Sequence, residues 1–148
     1  MAIHLDDDMQ TAINNAFTDG CPIIWATAGA DGQPSLGFFG TTQAYSDHEI
    51  ALWMRTPARG FLKRIAENPQ ATMQYRNPGT RTAFQIHGEA RVANDPEIDR
   101  QVYDNSAEAE RNNDPERKGL AVIMEITRII QRGEVIQSRD GDTGAKVD

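Results

Sequence analysis

The residues best suited to chemistry stand together in one segment. From Trp53 to Arg64 the chain carries Arg55, Arg59, Lys63 and Arg64 and no acid. Thr56-Pro57 reads as a helix cap followed by a proline at the first helical position. Arg59 and Lys63, four residues apart, then share a helical face, while Arg55 ends the preceding strand. Free N–H groups at a helix start and flanking guanidinium groups together favour an anion such as a phosphate, through hydrogen bonds and through the helix dipole. The competing reading is a solvated basic face with Lys63 paired to Glu67, and spacing alone leaves both open. Upstream, Leu36 to Thr42 offers Phe38 and Phe39 beside Gly37 and Gly40. Such a run either flanks a planar ring or supplies core aromatics and bulges.

Other chemistries find little support. There is no phosphate loop, dinucleotide glycine fingerprint, nucleophile elbow or helical zinc pair. His4, His48 and His87 lie far apart in sequence. His87 sits on a polar strand face, as an ordinary interfacial histidine or an axial metal or haem ligand. No carboxylate pair in an apolar setting suggests acid/base catalysis, so no catalytic residue is named and no metal site is expected. The single cysteine, Cys21, has no disulfide or zinc-site partner and reads as a small buried residue. A net charge of −7 argues against general nucleic-acid binding. The apolar runs fall short of the roughly 18–20 residues of a membrane span. Asp6, Asp7 and Asp8 stand where a secretory leader would be basic and then apolar. A cytoplasmic location follows as the expectation.

The elements that must position these residues follow from periodicity. Asp6 to Asp8 cap a helix over about 7–18, and Ile23 to Ala28 and Ser35 to Tyr45 form the two arms of a hairpin across Asp31-Gly32. Ile50, Leu52 and Met54 alternate in a third strand, and a helix follows over about 57–67 with Phe61, Leu62, Ile65 and Ala66 on its apolar face. Ala71, Met73 and Tyr75 mark strand four. Phe84, Ile86, Gly88, Ala90 and Val92 share one face of strand five. Asp95-Pro96 starts another helix; 106–118 is polar, irregular or loosely helical, and expected to be mobile. Leu120 to Ile130 is a long strand, Glu134 to Ser138 extends the sheet, and 139–148 is a polar tail. A chain of 148 residues holds one domain. Hairpin-length connections make it mainly β, an antiparallel barrel with helices outside.

Several of these pieces, in their order and spacing, resemble one family. They are Ala26-Thr27-Ala28, Asp31 to Ser35, Ile50 to Met54 followed by Thr56, Ile65 to Ala71 through Asn68-Pro69, and Gly88 to Val92. The sequence resembles the pyridoxamine 5′-phosphate oxidase-like, FMN-binding split-barrel superfamily, particularly its small general-stress-protein-like members. The resemblance implies a split barrel of six or seven antiparallel strands, a homodimer, and FMN in a cleft at the subunit interface. It assigns the flavin contacts to Phe38, Phe39, Gly40 and Thr41, and the phosphate to Met54, Arg55, Thr56 and Arg59. The family's usual lysine at the helix start falls on Phe61, so that Arg55 or Lys63 would supply the charge. It further implies a flavin-dependent oxidoreductase acting with a nicotinamide nucleotide or another small-molecule substrate. The alternative is a non-catalytic flavin or haem protein in stress response or cofactor storage. FMN is the expected cofactor, with a deazaflavin or haem as the other options. The long C-terminal extension that completes the vitamin site of true pyridoxamine phosphate oxidases is not seen, and that activity is not implied.

Overall fold

A computed structural model describes residues 2–57 and 60–147. The chain opens with helix α1 (Asp7–Asn15), whose Asp6 cap accepts a 2.8 Å hydrogen bond from the Met9 N–H. Strands β1 (Ile24–Ala28) and β2 (Pro34–Phe38) form the hairpin, followed by the two-residue β3 (Gln43–Ala44) and β4 (Glu49–Met54). Then come α2 (Gly60–Glu67), β5 (Gln70–Asn77) and β6 (Thr82–Val92). Helices α3 (Pro96–Asn105) and α4 (Glu108–Arg111) lead to β7 (Leu120–Gln131) and β8 (Glu134–Ser138). The strands form one antiparallel sheet in the order β2-β1-β5-β6-β7-β4-β3, with β8 paired to β7. This is the mainly β split barrel with peripheral helices.

The eight strands exceed the expected six or seven because the second hairpin arm is broken. The Phe39 N–H donates to the Ile23 carbonyl at 3.0 Å, and the Thr42 N–H and hydroxyl both turn back to the Phe39 carbonyl. That tight turn separates β2 from the short β3. Long strands β6 and β7 carry the bend of the barrel: their register shifts between His87 and Gly88. Only glycine fits there, since a Cβ on Gly88 would lie 2.4 Å from both the Glu125 carbonyl oxygen and Met124 Cγ.

The sheet buries both of its faces around β4. Ile50 and Leu52 join Trp25, Met73, Ile86 and Met124 in the main core, while Ala51 and Trp53 pack beneath α3 with Val102 and Tyr103. A strand covered on both sides puts apolar residues at successive positions, as β4 does. Two further segments are better anchored than their composition predicts. In 106–118, Asp114 accepts hydrogen bonds from Trp53 Nε1, the Lys118 N–H and the Gly119 N–H, each at 2.9 Å. The polar 139–147 stretch folds back on the β7–β8 hairpin, with Val147 N–H donating to the Gly133 carbonyl and Lys146 bridging to Glu134. No described helix is long and apolar enough to cross a membrane.

Candidate functional site

The site is assembled where the β2–β3 turn meets the end of β4. Thr41 ties the two together: its hydroxyl donates to the Trp53 carbonyl and accepts from the Trp53 N–H, both at 2.9 Å. Thr42 fixes the turn from the other side, accepting from Trp25 Nε1 at 3.0 Å. Phe39 is drawn inward against Phe61, with ring centroids 5.1 Å apart, while neighbouring Phe38 on β2 stays 66% exposed. Alternation across a strand end thus sends one phenyl ring to the core and the other to solvent.

Between these elements lies a cavity of about 150 Å³. Its walls include Phe38, Phe39, Gly40, Thr41, Met54, Arg55 and Thr56, and so bring together seven of the residues expected from sequence. Trp53 and Glu110 complete it. Neither was named as a site residue from sequence: Trp53 reads only as the start of the basic segment at the end of the third strand, and Glu110 comes from α4, with no sequence signal linking it to β4. Lys63 is not among the lining residues; its ammonium lies 4.0 Å from Glu67 on the exposed side of α2. Arg59 falls outside the described residues, and Pro57 is a turn residue and not part of α2 (Gly60–Glu67).

Phe61, onto which the resemblance places the family's lysine, is 3% exposed and packs edge-on against Trp25 and Phe39. A charged side chain there would have to be buried without a partner, so the cavity's cation must come from elsewhere. Arg55 supplies it. Among the described residues its guanidinium makes no hydrogen bond or ion pair, and the Thr56 hydroxyl is likewise free. The arrangement can take a small anion through charge-assisted hydrogen bonds. At about 150 Å³ the cavity suits the end of a phosphate-bearing tail, smaller than the roughly 300–1,000 Å³ of sites that enclose a whole small-molecule ligand. A planar ring would have to lie outside it, along exposed Leu36 and Phe38.

A wider groove of about 490 Å³ opens on the outer face of β1, β5, β6 and β7 and holds His87. Burial, reinforced by Arg128, pushes the His87 pKa down. Its Nε2 lies 3.3 Å from Gln85 Oε1. The cations here are already engaged: Arg139 with Glu89 at 3.0 Å, and Arg128 with Asp142. Among the described residues no three His, Cys, Asp or Glu side chains cluster as a metal site. The smaller cavity, whose guanidinium is unpaired among the described residues, is therefore the better anion site.

Residues 10–130 match the family described as pyridoxamine 5′-phosphate oxidase. Solved structures resemble the chain at low identity. An FMN-binding protein from Syntrophomonas wolfei superposes with a TM-score of 0.62 at 9% identity, covering 84% of this chain and 86% of its own. A Clostridium acetobutylicum protein related to general stress protein 26 gives 0.62 at 12% identity, with 97% of each chain covered. HutZ, the haem storage protein of Vibrio cholerae, gives 0.66 at 12% identity, over 88% of this chain and 96% of its own. Likeness at these identities is a likeness of fold. No curated protein sequence matches the chain significantly.

Proposed function

Because the chain belongs to the pyridoxamine 5′-phosphate oxidase family, we propose that it binds a flavin, FMN first among the candidates, and works as a flavin-dependent oxidoreductase. The observation that carries this reading is the Arg55 guanidinium, without a hydrogen bond or ion pair among the described residues, next to Thr56 in a cavity of phosphate size beside an exposed aromatic strand. Arg55 and Thr56 would hold the terminal phosphate. Gly40 and Thr41 would shape the passage for the tail, and Phe38 would lie under the ring. When bound, the flavin supplies the electron transfer; the protein's share is orientation and exclusion of water from one ring face. Hydride transfer from a nicotinamide to a flavin needs no acid or base from the protein, which is compatible with a cavity whose one carboxylate among the described residues is Glu110.

The homodimer belongs to this reading as well. A cavity that holds only the tail leaves the ring on open surface, and a second chain against β2 would cover it. Fluorescence titration tests the phosphate assignment. Arg55→Ala removes charge-assisted hydrogen bonds worth about 1.5–3 kcal/mol, so FMN should bind about 10- to 100-fold more weakly. Riboflavin, without the phosphate, should bind both proteins alike. Equal FMN affinity in the two proteins would contradict the assignment. A Soret band in the purified protein, with no flavin bound on titration, would favour haem instead.

A further inference from the structure

The proposed phosphate corner contains its own opposing charge. Glu110 reaches the cavity from α4 and packs onto Gly40 so closely that a Cβ on that glycine would lie 2.5 Å from Glu110 Oε1. Its carboxylate, like the Arg55 guanidinium, has no hydrogen bond or ion pair among the described residues. One small cavity is thus lined by a cation and an anion that form no ion pair with each other. Nor can Glu110 drift away with its helix. The Tyr103 hydroxyl donates to the Arg111 carbonyl at 3.2 Å, and the Arg111 guanidinium donates to the Ser106 carbonyl.

We propose that Glu110 is the specificity-determining residue of this corner, disfavouring a dianionic phosphate monoester and so holding down the preference for FMN over an uncharged-tail flavin. The inference rests on the flavin reading above. Arg55 and Glu110 line the same cavity of about 150 Å³, so a phosphate drawn to Arg55 there comes close to the Glu110 carboxylate. Like charges at that separation, partly shielded from water, repel strongly. The protein's net charge of −7 adds a diffuse repulsion, but salt screens it over about 10 Å, so Glu110 dominates locally.

Glu110→Gln keeps the shape and removes the charge, and among the described residues no partner is lost. The full chain is titrated with FMN and with riboflavin by fluorescence, at low and at high salt. FMN should bind Glu110→Gln about tenfold more tightly than wild type at low salt. The gain should shrink at high salt, and riboflavin affinity should not change. Unchanged or weaker FMN binding would overturn the inference while leaving the flavin reading intact; equal loss for both flavins would mean that Glu110 accepts hydrogen bonds from the tail hydroxyls. Binding of neither flavin to either protein would overturn the flavin reading, and this inference with it.

Discussion

Trp53 lines the cavity from one side and is held from the other by a single carboxylate. Asp114 accepts from the Trp53 indole and from two backbone N–H groups. Burial works against its charge, yet the donors at Lys118, Trp53 and Gly119 outweigh burial and hold the carboxyl below its ordinary range. Asp114→Ala would leave all three donors without their acceptor. We expect a loss of about 2–4 kcal/mol in urea denaturation at pH 7. The pH dependence follows from the sign of the shift. A carboxyl whose folded pKa lies below its unfolded value stabilises the fold above about pH 4, and that contribution fades as pH falls through the folded value. The gap between wild type and variant should therefore be full at pH 7 and should narrow below about pH 4. A gap that widened with acid would mean that Asp114 is not held as a carboxylate.

At the scale of elements, the end of β4 is positioned by the start of β7. A Cβ on Gly119 would meet the Met54 carbonyl oxygen at 2.4 Å and Arg55 Cα at 2.8 Å. Backbone atoms cannot swing aside as side chains can, so Gly119→Ala must push the two strands apart at the point where Arg55 leaves the sheet. Overpacking of this kind costs about 1–3 kcal/mol. Thermal melting should show that loss, and FMN titration should show weaker binding, with Arg55 itself untouched; full affinity would separate the phosphate corner from this contact. Much of the element order was legible in sequence. Strand β6 alternates cleanly because only one of its faces is buried, and Asp95-Pro96 announces α3 through its cap. What escaped depends on distant partners. Phe39 turns inward because Phe61 waits there, and 106–118 is fixed because Asp114 finds Trp53. Local composition carries neither fact. The candidate site divides the same way: the resemblance brought seven residues to one cavity, whereas Glu110 joins it only through the placement of α4.

In the molecule as a whole, β2 is the edge strand whose apolar side chains are left uncovered. This strand ends the sheet and presents Leu36 and Phe38 at 70% and 66% exposure. Exposed apolar side chains on an edge strand invite pairing or burial by another surface. The proposed ring position lies over the same strand, so dimerisation and flavin binding should depend on one another. Phe38→Asp puts a charge into that surface while leaving the core alone, and should weaken both together. The most direct measurement is sedimentation velocity of the full chain with excess FMN, followed at once by protein absorbance and by the visible absorbance of the flavin. The account predicts a wild-type dimer that carries the flavin signal in its own boundary, and a Phe38→Asp protein that sediments as a monomer with the flavin left behind. A wild-type monomer that binds FMN fully, or a dimer that carries none, would contradict it.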